Sequence, residues 1–412
     1  NILFGGAYPP NSLTLVSGTQ LRASLPAMTN GSYPLFAFNN TRNIVKMNAL
    51  NVSPAPLWQT AATLANVYKT IAFTQSLVAS DGTGSNVLYT VDAGSSLPPN
   101  VTLYSNGTLT GNIVADIGTT SVYNFVIQAT DLEYQNIPRS FGLTAIGKII
   151  ASGGTVTTSG SYTIHTFTAS GTFTLSSNPA LKTFEVLVIA GGGGGGTRHG
   201  GGGGAGGVIY AATLSVTVAT YAVTIGQGGA PDADGTNSTF ANQTAIGGGR
   251  STTGSANNGG SGGGAGNGGT PGTGTAGQGN SGGYGTTSGP YGEGSFTGGG
   301  GGGAGGVGGN GSTGNGIYGG NGGIGRVITM ANGGINATYG GGGGGGIGTY
   351  GGVAMIAGSG GSGGGGSGSV GTANATSGTN NTGGGGGGSG FVGATNGIPG
   401  NGGSGVVIIV YS

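Results

Sequence analysis

The sequence predicts a mainly β chain: a β-sandwich followed by a glycine-rich domain of short strands and packed extended helices made of glycine. Three observations predict it. In the first half, apolar and polar residues alternate in short runs separated by turn signals. Glycine is distributed unevenly, with only 16 of the 108 glycines before residue 191. Two apolar strands bracket the glycine-dense part, Phe184-Glu-Val-Leu-Val-Ile189 before it and Val406-Val-Ile-Ile-Val-Tyr411 after it.

The 412 residues leave room for two to four domains. Charged residues make up 5% of the chain and the formal net charge is +1, so there is no electrostatic case for nucleic acid, an anionic membrane or an acidic substrate. Solubility must then come from Asn, Ser, Thr and exposed backbone. The chain has no Cys, which excludes disulfides and thiolate metal sites and fits synthesis in a reducing cytosol. Its longest apolar runs fall far short of the ~20 residues of a membrane helix, so membrane insertion is not expected.

Residues 1–52 hold short extended pieces, Leu13-Thr-Leu-Val16 and Pro34-Leu-Phe-Ala-Phe38, punctuated by Pro and Gly. Position alone suggests an attachment segment. Residues 53–148 read as the sandwich. Alternation runs through Ile71–Val78, Val87–Val91, Tyr123–Ala129 and Phe141–Ala145, with turns at Asp81-Gly82, Pro98-Pro99 and Asn106-Gly107. Trp58, the one Trp, is expected to cap that core. Residues 149–412 form the glycine-rich domain, with a β-rich base at 155–225 plus 406–411 and a lattice with loops at 226–405. Tyr162–Phe167, Gly171–Leu175, Val208–Tyr210, Leu214–Val218 and Tyr221–Ile225 supply the β-branched and aromatic alternation of the base.

The long glycine runs are 191–196, 200–204, 298–303, 340–346 and 383–388. A flexible linker does not explain them. The region is too long, bulky residues recur within it, and apolar strands pin both ends. Collagen needs glycine at every third residue and abundant Pro, and neither holds here. The remaining reading is a bundle of threefold, polyglycine II-type helices. Glycine lets backbones approach on all sides, so neighbouring helices can pair the N–H and C=O groups that an isolated one leaves open. A side chain inside a run should be badly tolerated.

Two stretches resemble known families. Ser96-Leu-Pro-Pro-Asn-Val-Thr-Leu103, Asn106-Gly-Thr-Leu-Thr-Gly111 and Tyr123-Asn-Phe-Val-Ile-Gln-Ala-Thr-Asp131 resemble the Ig/cadherin-like modules of surface proteins, with Asn100 where those modules carry Gly. That resemblance implies a spacer or adhesion unit. Phe167-Thr-Ala-Ser-Gly-Thr-Phe-Thr-Leu175, Val186-Leu-Val-Ile-Ala-Gly191 with the glycines after it, and the ending Gly402-Gly-Ser-Gly-Val-Val-Ile-Ile-Val-Tyr411 resemble the glycine-rich domain of bacteriophage tail-fibre and receptor-binding adhesins. That resemblance implies a lattice whose variable loops touch a host receptor. The corresponding loops are 250–258, 284–297, 307–339, 347–357, 369–382 and 389–399. Their aromatic residues are Tyr284, Tyr291, Phe296, Tyr318, Tyr339, Tyr350 and Phe391. Aromatics on held loops suit sugars or protein edges, and they equally suit covering the sides of a lattice; both readings stay open.

Catalytic chemistry finds no foothold. Chance matches to G-x-G-x-x-G and G-x-S-x-G abound in this composition without strand-turn-helix context, and no Lys follows Lys182 to complete a phosphate loop. No cofactor or metal site is expected. Asp81, Asp131 and Glu133 read as turn carboxylates rather than a calcium site, because the dense acidic set is missing. His165 reads as a structural residue of a strand, and Arg198-His199 as a solvated tip between two glycine runs. Eleven Asn-x-Ser/Thr sequons, Asn237 and Asn374 among them, are expected by chance.

The expected function is therefore a viral, phage-type surface fibre or adhesin at the virion surface, not an enzyme. Its partners would be a host receptor, glycan or outer-membrane protein, and other virion proteins, with a homotrimer as one assembly. The alternatives are a virion structural or decoration protein without a receptor role and an extracellular adhesion or matrix protein.

Overall fold

The computed structural model describes residues 2–4, 10–17, 20–24, 31–38, 43–52, 55–80, 87–131, 135–287, 296–313, 316–348 and 354–412. Its elements are nearly all strands; the one helical element among the described residues is a 3-10 turn, Ala331–Gly333. The chain divides into two compact units, Asn1–Lys148 and Ile149–Ser412.

In the first unit, Ile2–Phe4, Gly31–Phe38 and Asn43–Val52 form a three-stranded sheet, and Ser12–Ser17 pairs with Gln20–Ser24. The sandwich follows. One sheet has the order Leu88–Val91, Ser121–Thr130, Asn136–Ile146, Val67–Tyr68, and the other Val101–Leu103, Thr108–Gly111, Phe73–Ser76. Alternation puts Phe125, Ile127 and Ala129 of one long strand, and Phe141, Leu143 and Ala145 of its partner, inside. Trp58 joins this core 5.0 Å edge-on to Phe141 and donates its indole N–H to the Ile137 carbonyl at 3.1 Å. Gly107 takes the left-handed turn between two strands (φ +85°), where a Cβ would lie 2.4 Å from the Leu77 carbonyl oxygen.

The second unit begins with two five-stranded sheets. The first has the order Thr155–Ser159, Tyr162–Phe167, Val406–Tyr411, Phe184–Ile189, Val208–Leu214. The second has the order Ile150–Ser152, Gly171–Ser177, Ala219–Thr224, Ser238–Phe240, Gln243–Ala245. Phe173, Phe184, Val186, Val188, Phe240, Val407 and Ile409 fill the space between them. The opposite face of the first sheet, with Leu187, Ile189, Ile408 and Val410, is covered by Ile328 and Met330 of the hairpin Arg326–Met330/Ile335–Tyr339. Cover on both faces is why Val186–Ile189 and Val406–Tyr411 read as unbroken apolar runs. His165 is buried in the neighbouring strand. Its Nδ1–H donates to the Gly153 carbonyl at 2.7 Å and its Nε2 accepts from the Tyr411 hydroxyl at 3.1 Å, while burial lowers its pKa and keeps it neutral.

The glycine segments are built on that base. Residues 191–196 leave the strand Phe184–Ile189, and residues 200–207 return to its partner Val208–Leu214. Donors three residues apart address the same neighbour. Gly191 and Gly194 donate to Thr236 and Ala233, Gly192 and Gly195 to Gly403 and Gly400, and Gly193 and Gly196 to Gly204 and Gly201, all at 2.8–3.1 Å. Residues 200–207 donate in the same way to the segments holding Gly299, Gly386 and Gly249, and accept from those holding Gly193, Gly264 and Gly343. This segment is thus hydrogen-bonded on all sides by six others. The approach leaves no room for a side chain: a Cβ on Gly202 would sit 2.0 Å from the Gly343 carbonyl oxygen. Ordering glycine costs more backbone entropy than ordering any other residue, so only near-complete pairing can hold such an array.

Candidate functional site

The pairing gives the glycine array two ends. The end at the sheets is marked by Ala190 bonded to Gly207 and by Gly206 bonded to Gly383. The far end is marked by Gly196 bonded to Gly201, Gly346 to Gly200, Gly298 to Gly346, and Ser389 to Gly196. The turn 197–199 is therefore at the far end, as are the described parts of the segments 284–297, 347–357 and 389–399.

Four of the aromatic candidates lie on this far end. Tyr284 is exposed; its N–H donates to Asn310 Oδ1 at 2.9 Å and its carbonyl accepts from Gly311. Tyr318 lies in the short strand Ile317–Tyr318, parallel to Met355–Ile356. Phe391 opens the hairpin Phe391–Val392/Thr395–Asn396, and Phe296 precedes the run that starts at Gly298. Tyr291 and Tyr350 fall outside the described residues, as do Asp81 and Glu133.

Two readings are corrected. Residues 307–339 are not one loop. Their described residues climb to the far end, return through 319–325, which pair with the runs at 298–303 and 340–346, and finish in the hairpin at the sheets. Tyr339 belongs to that hairpin and packs with Ile335 and Ala304 against the strand face, so it is remote from the other aromatics. The second correction concerns His199, which is only 4% exposed rather than a solvated tip. Its ring lies 5.5 Å from Phe296 and 5.3 Å from Phe391, and the Arg198 guanidinium is over the Phe391 ring at 4.5 Å. Arg198 and His199 both take left-handed backbone angles (φ 56° and 61°), which turns the chain sharply between two antiparallel glycine segments. The Arg198 N–H donates to Ser389 Oγ at 3.3 Å. Burial, reinforced by the Arg198 charge, lowers the His199 pKa to about 4. The only non-glycine residues between the first two runs, 197–199, were the signal in the sequence that something is fixed there.

Buried and half-buried hydroxyls tie the far end together. Ser251 donates to the Gly264 carbonyl at 2.6 Å, and Thr286 and Thr297 share a hydrogen bond of 2.9 Å. Among the described residues there is no cluster of His, Cys, Asp or Glu that could hold a metal, and no helix long and apolar enough to cross a membrane. In the sandwich, Asp131 is buried and its Oδ1 accepts from the Gln135 N–H at 2.7 Å.

Residues 168–412, more than half of the chain, match the family model described as a glycine-rich domain. The chain belongs to this glycine-rich domain family. Ahead of the glycine-rich domain, residues 52–146 match the model described as "Putative Ig domain". No curated protein matches the chain. Among solved structures, an endo-fucoidan hydrolase of glycoside hydrolase family 107 is similar over 61% of this chain, at 11% identity and a TM-score of 0.19. The chain spans only 38% of that hydrolase, and so low a score carries no argument for fold or activity.

Proposed function

We propose that this surface-type, adhesin-like chain is a fibre or adhesin protein of a virus, phage-like by its resemblance, and that the far end of its glycine array carries the receptor-binding loops. One observation supports this most: the described parts of the segments 284–297, 347–357 and 389–399 gather at the end opposite the sheets, on an array whose segments are hydrogen-bonded to one another through their backbones. The three-residue donor repeat supports reading the runs as polyglycine II helices. Six residues at about 3.1 Å each make an array about 19 Å tall. Such a scaffold presents loops without side chains beneath them to rearrange.

The contact residues on this reading are Tyr284, Tyr318 and Phe391, with Tyr291 and Tyr350 of the same segments. Phe296 and Phe391 flank the buried His199, so they also position their loops. The described part of this surface is aromatic and carries few charged groups, Arg198 and Asp232 among them, which suits a glycan or the edge of a bacterial outer-membrane protein. The role is binding without catalysis, and the virion surface is its setting, alongside other virion proteins.

The test is binding of the full chain to a panel of candidate host cells. Exchange of the exposed residues 392–396 for those of a chain with a different host range should abolish or redirect binding without changing the melting temperature. Unchanged binding would overturn the loop assignment. Uniform coverage of the particle with no cell binding would favour a decoration role. Release of reducing ends from host glycans would overturn the non-enzymatic role.

A further inference from the structure

Asn followed by Gly is the dipeptide that deamidates most readily, because the Gly nitrogen, with no Cβ beside it, can close on the Asn side-chain amide. Described pairs of this kind lie in the array at 258–259, 267–268, 310–311, 321–322 and 401–402. Three of them are clamped to a neighbouring segment by two hydrogen bonds to a single residue. Thr273 donates its N–H to Asn258 Oδ1 at 2.7 Å, and its carbonyl accepts from the Gly259 N–H at 3.2 Å. Tyr284 holds Asn310 and Gly311 in the same way, at 2.9 and 2.8 Å. Ser359 holds Asn321 and Gly322, again at 2.9 and 2.8 Å. After Asn401, the Gly402 N–H donates to the Gly229 carbonyl at 2.8 Å.

Asn267 and Gly268 have neither bond. They are the central residues of a turn closed by the Gly269 N–H on the Gly266 carbonyl at 2.8 Å. Both are exposed, and both take left-handed backbone angles (φ 30° and 69°). Among the described residues nothing bonds the Asn267 side chain or the Gly268 N–H. The turn belongs to the far end of the array: Gly266 bonds to Gly254, and a Cβ on Gly268 would lie 1.8 Å from Thr287 Cγ2.

We propose that Asn267 is a site of spontaneous deamidation, and that the clamps keep the other pairs intact. The Gly268 nitrogen gives up its proton to hydroxide and bonds to Asn267 Cγ. The bond from Cγ to the amide nitrogen breaks, and ammonia leaves after taking a proton from water. Water then opens the cyclic imide at either carbonyl, giving aspartate or isoaspartate. In a clamp, the proton of that nitrogen is held by a carbonyl of the next segment and the Asn Oδ1 by its N–H. Ring closure there must wait for the segments to part locally, whereas at the turn only the closing bond opposes it. The product places a carboxylate beside Thr287, at the end of the array that carries the segment 284–297.

The test incubates the full native chain at mildly alkaline pH and follows each pair by peptide mapping with mass spectrometry. Asn267 should deamidate at least about tenfold faster than Asn258, Asn310 and Asn321, the factor that a single hydrogen bond supplies. The local sequences are nearly the same, with Gly-Gly after Asn258, Asn267 and Asn321 and Gly-Ser after Asn310, so in urea the rates should converge. Backbone amide exchange should likewise be fast at Gly268 and at least about tenfold slower at Gly259, Gly311 and Gly322. Equal deamidation at these sites in the folded chain would overturn the proposal. So would an advantage of Asn267 that persists in urea, or a Gly268 N–H as protected as the other three.

Discussion

Ile189, the last strand residue before the glycine segments, lies opposite Val406, the first strand residue after them, in antiparallel register. The pairing continues through Val188 with Val407 to Glu185 with Val410. The two ends of the glycine-rich domain are therefore fixed side by side in the centre of one sheet. The closing strand also pairs on its other edge with Tyr162–Phe167, so it completes the sheet as well as the array.

Ile409 sits between His165 and Val186 in that sheet and is fully buried in the core. Ile409→Ala should destabilise the second unit by about 2–5 kcal/mol, read by urea denaturation in far-UV circular dichroism. Trp58, the only Trp, belongs to the first unit, so its fluorescence midpoint should stay put. A matching shift in Trp58 emission would mean that the units do not unfold independently.

Gly202→Ala and Gly254→Ala form a matched pair. A Cβ at Gly202 meets the Gly343 carbonyl oxygen at 2.0 Å, whereas one at Gly254 meets nothing within 4 Å. The first should lower the melting temperature strongly or prevent folding. The second should be neutral or slightly stabilising, within about 1 kcal/mol, because alanine loses less chain entropy than glycine. Equal melting temperatures would contradict the close packing of the runs.

The His199 pKa falls from 6.5 unfolded to about 4 folded, because burial and Arg198 disfavour the imidazolium. The unfolded chain therefore binds the proton first. The stability tied to the neutral ring is complete above about pH 6.5 and is lost as pH falls towards about 4. Urea unfolding of the wild type should show this slope, and H199N should flatten it, since Asn also tolerates the left-handed backbone. If loop order depends on the ring, H199N should also weaken cell binding at neutral pH while leaving the sheet spectrum unchanged.

Lys69 is buried in the sandwich, with its ammonium donating to the Asp116 carbonyl and to Ser121 Oγ, each at 2.9 Å. Lys69→Ala leaves both acceptors without their donor and should cost about 1–3 kcal/mol. The loss would appear in Trp58 fluorescence, and an unchanged midpoint would show that water replaces the ammonium freely.

The sandwich strands, the five glycine runs and the two bracketing apolar strands were all legible in the sequence. Alternation and glycine density are local signals, and each marks its own segment. Val406–Tyr411 could be read as buried on both faces because no residue in it is polar enough to face water. Asn374, Ser377 and Asn380 accept from the N–H groups of Ile398, Asn401 and Ser404, but in the sequence they are indistinguishable from ordinary solubilising polars.

Tertiary structure alone decided which loops meet. A glycine run carries no side chain, so nothing in it encodes its neighbours or which way it points; strands, turns and polar side chains at its ends choose them. That is why Tyr339 and Tyr318, close in sequence, lie at opposite ends of the array, while His199, Phe296 and Phe391, far apart in sequence, form one cluster. The sequence determined that a glycine array would form and where its segments begin and end. Only the packed chain decided which of its residues stand together at the end away from the sheets.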